Sequence, residues 1–479
     1  LWLYFLFEFG VLNLNPKLKK EKEMNQNPRV TWEGCSVLLD INDGDRLVFA
    51  RLSAGATLKI GNKNCSLRPL IGCPFGSLFQ VETGDKGPFL SRLLHSSEDV
   101  DLQEKGEGQL VVQESRDNRA IVDNNKAQSL SAADIDEMRR QGAKGDEIVE
   151  ALIANSATFE KKTAFSQEKY RLRKQKKYAP RVLLRRPFAR SICEAYFKKY
   201  PARIGFLRID ALSLLLSLAN VTAHSDILVV DMVGGLVTGA VAERLGGSGY
   251  VCNTYLGATP SNIDIVRIFN LSEEICKRIL HCPLTELTSD PTGTSEQTAP
   301  HEDVHDMESE SKEPTSTDFP ASGEEAMVPS TIGTLEPVPL TANSPGNRIC
   351  KSTKAGERAS EEIISSWRTN GFSSLIIAAP ELDVCNVAQQ LLPLLSYSAP
   401  FVIYHQYLQV ECFRLLPLAT CMHKLQLEKL AIGLQITEPW LREYQVLPSR
   451  THPCMQMSAF GGYILSGIKI CSNSSQSDT

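Results

Sequence analysis

The chain has 479 residues, of which 42% are hydrophobic, and it carries a net charge of −5. This is enough material for two or three domains with cores of their own, whereas 13 cysteines without a Cys-x-x-Cys pair argue against a zinc ribbon or a disulfide framework. The net charge hides two opposite segments: residues 161–190 hold twelve Lys and Arg against one acid, and residues 286–336 hold thirteen acids against one lysine. From the cysteines we expect reduced thiols, as in the cytosol or nucleus. Because the charges are segregated, the net charge says little about binding partners.

The beginning of the chain, LWLYFLFEFGVL, is strongly apolar but short. A membrane-spanning helix needs roughly 20 such residues, and the segment lacks the basic start and the cleavage site of a signal peptide. We predict no membrane association and interpret residues 1–23 as upstream sequence outside the fold, in preference to a signal anchor. Residues 24–115 then show short apolar runs separated by turn residues such as Asn42 and Gly44. This pattern predicts an N-terminal β-barrel-like domain.

Residues 116–190 are predicted to form a helical, basic linker. Ser131 followed by Asp134 is a capping-box-like helix start, and the later part interleaves its cations with Tyr170 and Tyr178. A solvated charged helix, or a nuclear import signal in RLRKQKK, would also explain the run. So many cations with one acid favour an anionic partner, and the absence of a groove-reading motif favours RNA over DNA. The predicted localisation is the nucleus.

Strands alternating with helices are predicted in residues 191–283 and 359–471, which indicates one Rossmann-like parallel-sheet domain in two pieces. Residues 284–358 between them are rich in Glu, Ser, Thr and Pro, so we predict a disordered acidic insert. Residues 472–479 are predicted to be a flexible tail. The fold class is therefore α+β multidomain, with an N-terminal β-barrel-like domain, a helical basic linker and a C-terminal domain of the class I methyltransferase type.

The stretch ILVVDMVGGLVTGAVAERLGGSGYVCNTY resembles the loop that binds S-adenosylmethionine, but most of the required glycines are absent. Such loops read acid-x-Gly-x-Gly-x-Gly, because only glycine lets the donor approach the backbone. Counting from Asp231, these slots hold Val233, Gly235 and Val237. The degenerate loop comprises Asp231, Gly234, Gly235 and Gly239, and we expect no cofactor in this chain.

Two further groups that methyl transfer requires are missing. No acid lies between Glu243 and Asp264 to hold the ribose hydroxyls, and Ala378 stands two residues before Pro380 where base methyltransferases place an acid. The eight histidines are scattered, which gives a metal site little support. We therefore predict no catalytic residue and no metal in this chain, with an active enzyme of unusual donor loop as the alternative.

Several long stretches resemble the non-catalytic subunit of the eukaryotic tRNA (adenine-58-N1)-methyltransferase complex. The most specific are DNRAIVDNNKAQSLSAADIDEMRRQGAKGDEIVEALIANSATFEKKTAFSQEKY and WLREYQVLPSRTHPCMQMSAFGGYILSG. LIGCPFGSLFQV and RIDALSLLLSLANV support the match. The resemblance implies a catalytic partner that binds S-adenosylmethionine, a heterotetramer with two of each chain, and tRNA as the bound RNA.

The resemblance also implies a set of basic side chains that contact tRNA. In this sequence they are Lys169, Arg173, Lys174, Lys176 and Lys177 of the basic run, and Arg442, Arg450 and His452 near the C-terminus. For Arg450 and His452 the alternative is that they orient a loop by bonding carbonyls. Gly461 and Gly462 are predicted to permit a tight turn into the last strand. A third function, RNA binding by a translation-associated assembly protein, stays open from the residues alone.

Overall fold

The computed structural model describes residues 29–84, 87–93, 128–289, 355–407, 418–447, 450–455 and 461–471. Apart from Ser289, these residues belong to one compact unit. The predictions for residues 1–23, for the tail and for residues 290–354 of the insert lie outside the described residues. None of the described helices is long and apolar enough to cross a membrane.

The N-terminal part is an antiparallel sheet of five strands in the order β2-β1-β7-β5-β6, with a separate β3-β4 hairpin. The strands are β1 (Ser36–Ile41), β2 (Arg46–Arg51), β3 (Thr57–Ile60), β4 (Lys63–Ser66), β5 (Leu78–Gly84), β6 (Gly87–Leu93) and β7 (Arg181–Arg185). Val37, Leu39 and Phe79 are fully or almost fully buried in its core. The short apolar runs of the sequence thus do form strands here.

Strand β7 corrects the predicted linker, which extended through residue 190. Leu184 pairs with Leu39 of β1, and Val182 pairs with Phe79 of β5, so β7 lies in the middle of the N-terminal sheet. Val182 and Leu184 are both fully buried. Residues 181–185 form a strand because burying their alternating apolar side chains stabilises the sheet, even though they follow the basic run directly in sequence.

In the part of the chain that the structure describes, three helices precede β7: α1 (Ala132–Arg140), α2 (Gly145–Ala154) and α3 (Ala164–Tyr178). The predicted capping box is confirmed, because Asp134 N donates to Ser131 Oγ at 3.3 Å and Ser131 N donates to Asp134 Oδ2 at 2.8 Å. Ile135, Ile148 and Leu152 form a small core between α1 and α2. These helices are therefore packed elements and not an extended linker.

The C-terminal part is a sheet of eight strands in the order β11-β10-β9-β8-β12-β13-β17-β14. All pairs from β11 to β13 are parallel, whereas β17 is antiparallel to both β13 and β14. Its strands are β8 (Ile227–Asp231), β9 (Val251–Tyr255), β10 (Ile279–Pro283), β11 (Glu357–Arg358), β12 (Ser374–Ala378), β13 (Pro400–His405), β14 (Ala431–Thr437) and β17 (Tyr463–Lys469). The predicted mixed α/β architecture with a large sheet is confirmed.

Helices cover both faces of this sheet, so β8 and β12 are buried throughout and read as continuous apolar runs. The helices are α4 (Ala189–Lys199), α5 (Ile209–Leu218), α6 (Leu236–Leu245), α7 (Glu273–Cys276), α8 (Leu284–Thr288), α9 (Glu361–Asn370), α10 (Val384–Leu391) and α11 (Leu418–Leu427). The strand order reverses between β8 and β12, since the chain runs outward through β9 and β10 and returns beside β8. A crevice at such a reversal is where open α/β sheets bind ligands.

Both ends of the predicted insert belong to the fold, so its boundaries at residues 284 and 358 are corrected. Leu284 and Leu287 of α8 are buried against α9, and Arg368 Nε donates to the Glu286 carbonyl at 2.9 Å. At the other end, β11 pairs with β10. The acidic composition concealed these few apolar anchor residues.

Candidate functional site

Asp231, the last residue of β8, is fully buried and uses its carboxylate on its own loop. Oδ1 accepts from Val233 N at 2.9 Å and Gly235 N at 3.1 Å, and Oδ2 accepts from the amide and the hydroxyl of Thr238, both at 2.8 Å. Burial raises the pKa of the Asp231 carboxyl, and these hydrogen bonds oppose that rise. Asp231 therefore holds the turn between β8 and α6 in place.

The glycines of this loop face the protein's own chain. Gly234 and Gly235 have positive φ angles of 75° and 87°, as the predicted strand-to-helix bend requires. A Cβ on Gly235 would lie 2.6 Å from Ile263 Cα, and one on Gly234 would lie 2.8 Å from Ile265 Cδ1. Gly239 on α6 is covered in the same way by the ring of Phe269. Residues 263–269 thus fill the space in front of the loop.

The crevice between β8 and β12 is closed as well. Val233, which stands in the first glycine slot, is fully buried. A Cβ placed on Gly205 would lie 3.0 Å from Val233 Cγ1 and 3.2 Å from Pro380 Cγ. Ala378 and Ala379 at the end of β12 are also fully buried and offer no side-chain polar group. The chain's own side chains therefore crowd both the loop and the end of β12.

The basic helix α3 presents most of its cations to solvent. Lys169, Arg173 and Lys177 are exposed, and Lys174 is half-buried. Leu172 is 45% exposed, so this side of the helix is not packed against an apolar core. The structure therefore supplies a cationic surface where the sequence predicted one.

Tyr170 anchors this surface from beneath. It is buried, its ring packs against Phe159 at 5.7 Å between centroids, and its hydroxyl lies 3.3 Å from Gln128 Nε2. The charged ends of three side chains lie 4.9 to 5.7 Å from the ring centroid, namely Lys162, Arg173 and Lys174. Cation–π attraction of this kind holds flexible cations in place.

Lys176 is also exposed, but an acid of the same chain contacts it. Its Nζ lies 2.8 Å from Asp45 Oδ1, in the turn between β1 and β2. Asn42 of that turn accepts a hydrogen bond from Arg181 N at 3.1 Å and donates to the Lys176 carbonyl at 3.4 Å. The turn at residues 42–45 therefore holds the end of α3 and compensates one of its charges.

Of the remaining predicted contact residues, Arg450 and His452 lie in a hairpin of β15 (Tyr444–Leu447) and β16 (Arg450–Pro453), and Arg442 lies just before it. We call residues 440–447 and 450–455 the arm. Arg442 is exposed, and His452 is exposed with Nδ1 3.0 Å from the Pro453 carbonyl. Arg450 lies opposite Leu447 in the hairpin. No hydrogen bond or ion pair of the described residues joins Arg442 or His452 to α3.

Sequence reasoning missed the buried cation at the base of the arm. Arg208 is 4% exposed, its Nε donates to Asp210 Oδ1 at 2.7 Å, and its Nη2 donates to the Pro439 carbonyl at 3.1 Å. A Cβ on Gly461 would lie 2.6 Å from the same Nη2, so this glycine makes room for the guanidinium. Gly462, with φ of 76°, makes the predicted turn. In the sequence, only the Arg-x-Asp pattern before an apolar helix indicates this buried ion pair.

The described residues contain no group of three or more His, Cys, Asp and Glu side chains placed to hold a metal ion.

Comparison with protein families gives a match to the Gcd10p family over residues 32–315. The chain belongs to the Gcd10p family. The resemblance identified in the sequence is thereby confirmed.

Two curated relatives share the name tRNA (adenine(58)-N(1))-methyltransferase non-catalytic subunit. The protein from Dictyostelium discoideum is 33% identical over 447 residues, covering 91% of this chain and 79% of the relative. The protein from Mus musculus is 29% identical over 470 residues, covering 91% and 90%. The relatives are thus named as non-catalytic subunits of a methyltransferase.

Among solved structures, a SAM-dependent O-methyltransferase from Thermotoga maritima has a TM-score of 0.44 and 11% identity, covering 92% of this chain and 96% of its own. The tRNA methyltransferase TrmI from Aquifex aeolicus has a TM-score of 0.40 and 11% identity, covering 92% and 100%. With TM-scores this low, neither contributes to the assignment.

Proposed function

We propose that this chain is the non-catalytic, tRNA-binding subunit of a tRNA (adenine-58-N1)-methyltransferase complex, which is the name its relatives carry. A catalytic partner binds S-adenosylmethionine and transfers the methyl group, while this chain holds no cofactor. Two copies of each chain form the complex, which acts in the nucleus. The sequence RLRKQKK on α3 supports nuclear import.

One observation carries the non-catalytic assignment: this chain's own residues occupy the donor loop. Val233 fills the crevice at the strand-order reversal, and residues 263–269 cover Gly234, Gly235 and Gly239. Donor binding would require backbone amides and bare glycines facing an open space. The loop is kept because Asp231 and its hydrogen bonds connect β8 to α6.

The tRNA-binding role rests on the cations of α3. Lys169, Arg173, Lys174 and Lys177 provide a cationic surface, in which the buried ring of Tyr170 holds Arg173 and Lys174. Phosphates supply most of the affinity of such surfaces, and each contact releases counterions. On the arm, Arg442, Arg450 and His452 contribute a second set of phosphate contacts. Lys176 joins the contacts of α3 when a phosphate displaces Asp45.

The test uses the purified chain alone and in complex with its catalytic partner. Isothermal titration calorimetry should detect S-adenosylmethionine binding to the complex and none to the isolated chain. Methyl transfer to tRNA should require both chains. A Val233→Gly, Val237→Gly variant should still fail to bind the donor, because residues 263–269 continue to cover the loop.

Donor binding by the isolated wild-type chain at micromolar concentration would overturn the assignment and favour an active enzyme with an atypical loop. Recovery of ribosomal or messenger RNA without tRNA after crosslinking in cells would instead favour a translation-associated assembly protein.

A further inference from the structure

Tyr178, the last residue of α3, brings together cations from two helices. Its ring is half-buried and packs against the core of Ile135, Ile148 and Leu152. Arg139 Cζ of α1 lies 5.7 Å from the ring centroid, and Lys177 Nζ of α3 lies 5.2 Å from it. Because the ring is fixed by the core, both cations are held in place before any ligand binds.

A third cation, on the β3-β4 hairpin, interacts electrostatically with Arg139. Lys63 of β4 is half-buried, and its Nζ donates to the neutral Thr83 hydroxyl at 2.7 Å. Burial lowers the pKa of Lys63, and the like charge of Arg139 lowers it further. Lys63 and Arg139 are therefore close enough to repel each other.

The acid that contacts this group compensates only part of its charge. Asp136 lies 3.0 Å from Arg139 Nη1, and both side chains are open to solvent, so the pair is weak. Lys63 donates to a hydroxyl, and Lys177 lies against an aromatic ring. Lys176, the neighbour of Lys177, has a carboxylate at 2.8 Å. Converging like charges with so little compensation are costly unless an anion binds between them.

We propose that Arg139 and Lys177, which lie over the Tyr178 ring, and Lys63, whose charge acts on Arg139, form a phosphate-binding subsite that extends the RNA surface of α3 across α1 to the β3-β4 hairpin. The proposal rests on the proposed function, since the phosphate belongs to the bound tRNA. The subsite adds contacts from β4 and α1, neither of which belongs to the basic run in the sequence.

The test measures tRNA binding by the complex with the catalytic subunit over a range of KCl concentrations. Arg139→Gln and Lys63→Gln should each make the slope of log K against log salt shallower by about one unit per lost phosphate contact. Near physiological salt, each should weaken binding roughly five-fold. Thermal unfolding of each variant checks that the fold is intact.

Arg140→Gln is the matched control. Arg140 is the next residue on α1, is exposed and pairs with Glu137 at 3.0 Å, so its loss changes the net charge equally without removing a cation at Tyr178. Its slope should equal that of the wild type. An equal change in the Arg140→Gln and Arg139→Gln slopes would mean a general field effect and would overturn the subsite.

A comparison with α3 separates the subsite from the proposed function. If Lys169→Gln with Arg173→Gln reduces the slope but Lys63→Gln and Arg139→Gln do not, the subsite is wrong and tRNA binding by α3 stands. If none of these variants reduces the slope, both proposals fail.

Discussion

Lys176 differs from its neighbours on α3 because Asp45 already neutralises it. The pair spans 2.8 Å between partly exposed side chains. An exposed pair of this kind contributes about 0–1 kcal/mol to stability, so a phosphate can compete with Asp45 for the ammonium group. Lys176, which the resemblance implies as a tRNA contact, is thus expected to be a weaker contact than its neighbours in the folded chain.

Removing the carboxylate should therefore strengthen tRNA binding. Asp45→Asn frees Lys176, and we expect the salt slope of tRNA binding to steepen by up to about one unit with little change in thermal stability. The measurement is fluorescence anisotropy with labelled tRNA in a KCl series. Asp43→Asn, in the same turn, is the control for net charge. Equal slopes for Asp45→Asn and the wild type would mean that Lys176 does not face RNA.

At the scale of elements, local patterns predicted those helices and strands whose signals are local. The capping box at Ser131 appears in the structure at the predicted place, and strands alternate with helices in the C-terminal part as predicted. Strand β7 was missed because its pairing with β1 joins residues more than 100 positions apart. Hydrophobic periodicity carries no information about such partners.

The same limit applies to the candidate site. The glycine spacing revealed a degenerate loop, but its closure depends on residues 263–269, which no spacing rule connects to Gly235. Similarly, the basic run revealed α3, whereas Asp45 and Arg139 reach it from other elements. Composition therefore located both surfaces, and only three-dimensional packing distinguished the residues within them.

The arm depends on one buried cation at its base. Replacing Arg208 by Met would leave Asp210 and the Pro439 carbonyl without this donor, and breaking a buried pair costs about 3–5 kcal/mol. We expect faster amide exchange in peptides covering residues 440–455, measured by hydrogen–deuterium exchange mass spectrometry, with a smaller change in β8 and β12.

The control for this prediction is Arg203→Met. Arg203 also pairs with an aspartate, Asp264, but its side chain is 46% exposed, so its loss should leave exchange in the arm unchanged. If Arg208→Met likewise leaves the arm unchanged, the arm is held by contacts other than this guanidinium.

At the scale of the whole molecule, the acidic insert interrupts in sequence the strands of one continuous sheet. Helix α8, which precedes the insert, contacts α9, and strand β11, which follows it, pairs with β10. Leu280 of β10 pairs with Glu357 of β11, and from there the chain reaches Thr288 through the rest of β10 and α8. Thr288 and Glu357, which flank the insert, therefore lie within roughly 20 Å of each other.

Replacing residues 289–354 with about eight Gly and Ser residues, which reach roughly 26 Å, should preserve the fold and the methylation activity of the complex. Loop-closure entropy changes slowly with length, so shortening the connection costs little. A second deletion that starts at Glu286 removes the buried Leu287 and the carbonyl that Arg368 contacts, and we expect a loss of about 2–5 kcal/mol. Urea denaturation and methylation of tRNA by the reconstituted complex compare the two variants. If the shorter deletion is as damaging as the longer one, residues 289–354 contribute to folding or assembly themselves.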